Sequence, residues 1–286
     1  MKHLLIFLFI IISGCKSKNN NTVATTDVTS IMAKDGYELV WSDEFNKDLD
    51  TSKWAYRTDN KHRSIQLKEN IQVKDGVLTL NLNVFDEPIQ GKKASGAGIV
   101  SKKQFRYGYY EVRSRLGDGI DDDNDGKTDE GWHHSFWAMA AVIENGEVGT
   151  TYPGIRRTEI DCYENPTEHL GEPEQNGLNN FTQHVIVWDE TGKEWGRLPT
   201  PPTDVTSLQN FDASKWHTYA FEWDEKEIKF YVDDKLQKVA HYPANKFVHD
   251  KINIWLTAIA ANWNDDDQEK SMAQYDYFRF YEKSTQ

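Results

Sequence analysis

The sequence predicts an all-β domain: two antiparallel sheets packed as a sandwich or jelly roll. Three observations predict it. Ten short runs alternate apolar with polar residues, or are rich in β-branched and aromatic ones. Turn-forming residues sit between several of them. No stretch carries long helical periodicity, and no internal repeat is visible, so helical and solenoid architectures are set aside.

In chain order the strand-like runs are YELVWSDEF (37–45), GVLTLNLNVF (76–85), YGYYEVRSRL (107–116), HSFWAMAAVI (134–143) and TEIDCYE (158–164). They continue with QHVIVWDE (183–190), WHTYAFEWD (216–224), EIKFYVDD (227–234), INIWLTAIA (252–260) and YDYFRFY (275–281). KDG at 74–76, ENG at 144–146, ETG at 190–192 and DD at 233–234 are the turn signals. Irregular insertions are expected at 117–131 and 165–180. Ten tryptophans, thirteen tyrosines and thirteen phenylalanines are enough for a sizeable core and a ring-lined cleft together.

The chain opens with MKHLLIFLFIIISGC. Its apolar run, Leu4 to Ile12, is too short to span a bilayer and reads as a signal-peptide core. Ser13-Gly14-Cys15 resembles a bacterial lipobox. That resemblance implies residues 1–14 as a signal peptide and Cys15 as a lipidated first mature residue. The polar stretch 15–35 reads as a flexible tether, and 36–286 as one domain. The expected address is the cell envelope, with membrane contact through the lipid anchor alone. A formal net charge of −13 argues against nucleic acid as a partner. With Cys15 lipidated, Cys162 has no partner for an intrachain disulfide. A monomer is expected.

TEIDCYE carries the chemistry. Alternation puts Glu159 and Asp161 on one face of a strand. Strict alternation would send Glu164 to the other face. One β-bulge after Asp161 returns it to the acid face, with Ile160 and Cys162 or Tyr163 in the apolar layer. A structural strand gains nothing from three crowded acids. A carboxylate pair suits glycosidic cleavage, one acid attacking the anomeric carbon and the other protonating the leaving oxygen. Mutual repulsion and partial burial raise the pKa of one of them. A solvated acidic face or a cation site is the other reading of this pattern.

TEIDCYE resembles the bulged E-x-D-x-x-E signature of glycoside hydrolase family 16. WSDEFN, YGYYEVRSRL, GWHHSFWAM, WHTYAFEWDEKEIKFYVDDKL and YDYFRFY resemble family segments in the family's order, across most of residues 37–281. The resemblance implies a β-jelly roll with a concave cleft. It implies Glu159 as nucleophile, Glu164 as general acid/base and Asp161 as the assisting acid. The implied reaction is endo-hydrolysis of a β-linked polysaccharide with retention, and no cofactor is needed for it.

Sugars stack their apolar faces on aromatic rings. Trp132 and Trp137, in the segment that resembles the cleft-lining strand, are the expected platforms near the cut bond. His133 and His134 are adjacent, so only one faces the cleft, and the sequence leaves open which. His184 is placed beside Glu164, and Trp263 in a late loop capping one end of the cleft. After the last acid the chain reads ENPTEH, unlike the aromatic and glycine common in family members that cut β-1,3-glucan. Arg156 and Arg157 precede the nucleophile, and an arginine near the cleft can clamp a sulfate bidentately. Arg156 is the candidate taken forward. These features lean towards an algal galactan such as agar, porphyran or carrageenan. Laminarinase, mucin-type endo-β-galactosidase and a non-catalytic surface glycan-binding protein are the alternatives.

GDGIDDDNDGKTDEG is the remaining acidic stretch. Asp121, Asp123 and Asp125 before Gly126, with Asp129, match the first part of an EF-hand-type calcium loop. Trp132 stands at its twelfth position, so a true EF-hand is not expected, only a calcium-ordered loop. Glu44, the Gly76 carbonyl and Asp276 are candidates for a separate structural cation on the convex side.

Overall fold

The structure, a computed structural model, describes residues 36–60, 62–121, 124, 126, 128–166, 180–198, 200, 205–208, 210–242, 247–262 and 268–284. The apolar opening, Cys15 and the tether lie outside them. In chain order the strands are β1 (Tyr37–Asp43), β2 (Trp54–Arg57), β3 (Ser64–Gln66), β4 (Ile71–Lys74), β5 (Val77–Ile89) and β6 (Lys92–Ser101). Then come β7 (Gly108–Leu116), β8 (His133–Met139), β9 (Glu147–Val148), β10 (Arg157–Pro166), β11 (Asn180–Trp188) and β12 (Glu194–Leu198). The last six are β13 (Val205–Ser207), β14 (His217–Trp223), β15 (Glu227–Val232), β16 (Lys235–His241), β17 (Asn253–Ile259) and β18 (Ser271–Lys283). A single 3₁₀ turn, Lys68–Asn70, is the only helical element among the described residues.

All ten runs read from the sequence are strands, and the architecture is the expected two-sheet β sandwich. In the back sheet β18 pairs with β1 and β5 on one side and with β7 on the other, and β14, β15 and β16 follow β7. The front sheet runs from β11 through β10, β8, β17 and β6 to β2, with β12 and β13 beside β11. The β5–β6 pairing joins the two. Two short pairings, β2–β9 and β3–β6, are parallel and depart from the antiparallel expectation.

One aromatic-rich core lies between the sheets. Phe136 of β8 meets Phe278 of β18 (6.2 Å) and Phe221 of β14 (5.7 Å). Tyr163 of β10 packs on Tyr219 of β14 at 4.4 Å. These rings interlock, and a misplaced one leaves a void that costs several kcal/mol, roughly 3–5 for an aromatic truncated to alanine. The predicted turns Asp75-Gly76 and Asn145-Gly146 take positive φ (52°, 79°, 52°, 80°), as tight hairpins between twisted strands require.

The central strand β6 was hidden in the sequence. KKASGAGIVS lacks bulky residues and resembles a loop. Small residues are needed there because β6 lies between β17 and β2. A Cβ on Gly96 would stand 2.2 Å from the Ala258 carbonyl oxygen.

Candidate active site

Strand β10 carries the acids, and it is bulged. Asp161 pairs with His184 of β11, but Glu164 pairs with Thr182, so three steps on β10 match two on β11. On the β8 side Asp161 pairs with Trp137 and Tyr163 with Phe136, which leaves Cys162 as the extra residue. Ile160, Cys162 and Tyr163 all enter the core. The buried Gln183 side chain donates to the Cys162 carbonyl (3.0 Å) and accepts from Thr206 Oγ1 (3.0 Å), which fixes the bulge. Glu159, Asp161 and Glu164 thereby share the outer face of the front sheet.

Each acid has a different environment. Glu159 accepts a hydrogen bond from Trp188 Nε1 at 2.6 Å. Burial, then the charges of Asp161 and Glu164, hold its pKa well above the usual carboxylate range. Asp161 is fully buried, with His184 Nε2 3.0 Å from its Oδ2. Burial and Glu164 push it up to about 6 against the pull of His184. Glu164 lies between two imidazoles, His133 Nε2 at 2.9 Å and His184 Nε2 at 3.1 Å. Burial raises its pKa, but the two histidines outweigh burial and hold it well below the usual range. His184 is shifted the opposite way: burial lowers it, and Asp161 and Glu164 hold it well above an ordinary histidine. The three acids and His184 titrate as one unit.

A cleft of about 220 Å³ opens over these acids. Glu159, Glu164, His133, Trp137, Trp188, Tyr152 and Arg157 are among its walls. Trp137 stacks on Trp255 (4.4 Å between ring centres) and donates to Thr257 Oγ1 (2.9 Å), so its ring is held flat in the wall. His133 is the histidine that faces the cleft. His134 points the other way, is fully buried, and burial pushes it down to about 3. His184 sits beside Glu164, where the sequence puts it.

Several expectations need correction. Trp132 is not a platform: it is fully buried, and its Nε1 donates to the Glu269 carbonyl (2.7 Å). It stands one residue before β8, where the chain turns inward. Arg156 does not line the cleft. Its side chain is exposed, 4.2 Å from the Trp195 ring centre and 3.7 Å from Glu190. With Arg57 of β2, Arg157 lines the cleft. Two positions before Glu159, it shares the acid face by simple alternation, a signal present in the sequence. It is 1% exposed, with Nε against Met139 Sδ (3.1 Å) and no protein partner for Nη1. Trp188 and Tyr152 were not anticipated. Trp188 was legible from the alternation His184, Ile186, Trp188, whereas Tyr152 arrives from an irregular loop. Trp263 lies outside the described residues.

Several residues expected to hold cations have protein partners. Asp129 is fully buried and turned inward. Its carboxylate accepts from the amides of Asp118 and Gly119 (3.0 Å each) and from Ser271 Oγ (2.5 Å). It pins the loop by hydrogen bonds. Asp121 caps its own turn through the amides of Asn124 and Gly126, at 2.6 and 2.9 Å. Asp123 and Asp125 lie outside the described residues. Glu44 is clamped by Arg279 (3.0 and 2.7 Å) and Asp276 by Arg113 (2.7 Å). Among the described residues, Asp161, Glu164 and His184 alone bring three ligand-type atoms within 4.8 Å. There the imidazole already bridges the two carboxylates.

A row of carboxylates in a ring-lined cleft on a β sandwich defines a class, the carbohydrate-cleaving folds that work with paired acids. The comparisons agree. The family model described as β-porphyranase A–D, GH16 domain, matches residues 38–283, and the chain belongs to that branch of glycoside hydrolase family 16. A β-glucanase of Rhodothermus marinus is 29% identical over 217 residues, covering 70% of this chain and 64% of its own length. A keratan-sulfate endo-1,4-β-galactosidase of Sphingobacterium multivorum is 26% identical over 235 residues, covering 79% of this chain and 46% of its own length. Among solved structures, the catalytic domain of an endo-1,3-β-glucanase (laminarinase) from Thermotoga petrophila superposes with a TM-score of 0.65. It is 20% identical and covers 87% of this chain and 99% of that one, a likeness of fold.

Proposed function

We propose that the chain is an endo-acting, retaining hydrolase of a β-linked polysaccharide. The carrying observation is the bulged strand that sets Glu159, Asp161 and Glu164 on one cleft face with Glu164 between two histidines. Glu159 attacks the anomeric carbon, and Trp188 Nε1 aims its carboxylate. Glu159 and Asp161 share a proton; with it on Asp161, Glu159 is ionised and free to attack. Glu164 delivers a proton to the leaving oxygen and later takes one from water. Its ionised resting form needs resupply, and His184, 3.1 Å away and held charged by Asp161 and Glu164, is the source. The rings of Trp137 and Trp188 carry the sugar faces.

For substrate we favour a galactan, sulfated or agar-type. The porphyranase-type family match, the keratan-sulfate-cleaving relative and the buried cleft guanidinium of Arg157 support that reading. An arginine with an unused donor in a dry wall suits an anionic substituent. A β-glucan is the second reading, favoured by the Rhodothermus relative. A reducing-end assay on porphyran, agarose, κ-carrageenan, keratan sulfate, laminarin and mixed-linkage glucan decides, with Glu159→Gln as control. Activity on a galactan and none on laminarin is expected. Activity on laminarin alone sinks the galactan reading, and silence on all six sinks the hydrolase. Proton NMR of the first product gives the anomer, and inversion would remove the nucleophile role.

A further inference from the structure

Strands β10 and β11 bring an imidazole and two carboxylates to one point. His184 Nε2 is 3.0 Å from Asp161 Oδ2 and 3.1 Å from Glu164 Oε2, and one ligand-type atom of each residue lies within 4.8 Å of the others. A tetrahedral zinc ion, bound at about 2.0–2.1 Å, sets its nitrogen and oxygen ligands about 3.3 Å apart. Both separations from His184 fall within a few tenths of an ångström of that edge. The bulge that brings Glu164 to this point is itself held by Gln183 and Thr206, so the ligands are placed before any ion arrives.

Asp161 adds an independent observation. It is fully buried, and among the described residues its Oδ1 has no hydrogen-bond partner. A buried carboxylate oxygen without a donor costs stability, and a cation supplies what it lacks. Glu159 adds a third negative charge nearby, so the field also favours a divalent ion. Glu164 has outer support: its Oε1 meets His133 Nε2 at 2.9 Å, as metal-binding carboxylates are held by partners behind them. Glu164 and His133 line the cleft, which gives an ion its way in. One imidazole and two carboxylates suit zinc. Calcium takes six to eight oxygens and magnesium an octahedral, water-rich shell, so neither fits this trio.

We propose that Asp161, Glu164 and His184 form an inhibitory zinc site. The inhibition, though not the binding, rests on the hydrolase reading above. Zinc takes the place of the proton between His184 and the two acids, and that proton leaves to solvent. Glu164, once a ligand, has no free oxygen on that side to carry a proton to the leaving group. The ion is thus a blocker of the reaction and not a cofactor for it. Away from the cleft, His217 meets Asp233 and His241 meets Glu227. Those pairs have no third ligand among the described residues, which sets the trio apart.

The test titrates metal-stripped Glu159→Gln protein, which keeps all three ligands, with zinc chloride in a calorimeter. A single-ion binding phase is expected, and calcium chloride should give none. Adding His184→Ala should weaken that phase about a hundredfold, and His133→Gln about tenfold. Zinc-edge anomalous scattering from crystals of the Glu159→Gln protein should place the ion among Asp161, Glu164 and His184. Equal binding with and without His184 overturns the site, and so does an anomalous map with no peak at the trio. Neither readout needs a substrate. With the unmutated protein and the polymer it cleaves, zinc should stop the release of reducing ends and EDTA should restore it. Full cleavage at saturating zinc overturns the inhibition. Zinc held at the trio by a protein that cleaves no polymer, with or without the ion, would keep the metal site and sink the hydrolase.

Discussion

The two sheets each present carboxylates among aromatic rings on their outer faces, and they treat them in opposite ways. On the back sheet one acid is surrounded by donors. Glu222 accepts from Tyr37 (2.7 Å) and Tyr231 (3.0 Å), with Lys229 at 3.6 Å and Lys283 at 3.9 Å. On the front sheet three acids share three donors: His133, His184 and the Trp188 indole. Paired acids stabilise a face. Under-paired ones cost stability and shift pKa values in the directions chemistry uses. The difference separates a wall from a site.

The largest effect expected from that contrast is on the front. Glu159→Gln removes one of the mutually repelling charges. Hydrolysis should fall by about three orders of magnitude or more, while the melting temperature holds or rises. A melting temperature that falls by many degrees would mean Glu159 is structural. Next comes the pair Trp132 and Trp137. Trp132→Ala should cost roughly 3–5 kcal/mol in denaturant unfolding, since the ring is fully buried. Trp137→Ala should cost about 1 kcal/mol through its Trp255 stack and lower kcat/KM about tenfold or more. Reversed outcomes would return Trp132 to the cleft. On the back sheet, Glu222→Gln should cost about 1–2 kcal/mol and leave kcat/KM unchanged. A change in activity there would break the contrast.

Much of this was legible in the residues. The spacing of two and then three in TEIDCYE specifies a bulge, because only an extra residue returns Glu164 to the face of Glu159. The ten strand runs and the Asp75-Gly76 and Asn145-Gly146 turns follow from local chemistry. The failures share a cause. Trp132 and Arg156 lie just outside their strands, where alternation no longer fixes direction. His133 was legible too: β8 runs unbroken against β17 from His133 to Met139, so alternation puts His133, not His134, on the face of Trp137. Strand β6 reads as a loop because its glycines serve tertiary closeness, not local preference. Tyr152 comes from a loop whose path depends on the hairpin it meets.

The smallest effect asks how far the under-pairing extends behind the cleft. Asp250 supports the acid strand from its edge: its Oδ1 accepts from the Thr158 amide (3.2 Å), next to Glu159, while its Oδ2 has no partner. Burial pushes its pKa up to about 6, against the Thr158 bonds and the Arg157 charge. In the unfolded chain an aspartate titrates near about 3.9. Between about 4 and 6 the folded protein therefore binds the extra proton. Stability from this residue is full below that window and is lost as pH rises through it. Asp250→Asn keeps an oxygen for the Thr158 amide and never ionises. It should stabilise the protein by about 1–2 kcal/mol at pH 7.5, or about 2–8 °C for a domain this size, and by almost nothing at pH 4. Thermal unfolding of both proteins across pH 4–8 would check this. A constant offset would mean that Asp250 is fully paired, and the under-paired region would end at the cleft wall. A gap that opens with pH would extend it to the strand's supports. In that case the front sheet carries uncompensated charge one layer deeper than the three acids, and the contrast with the back sheet belongs to the sheet, not only to the cleft.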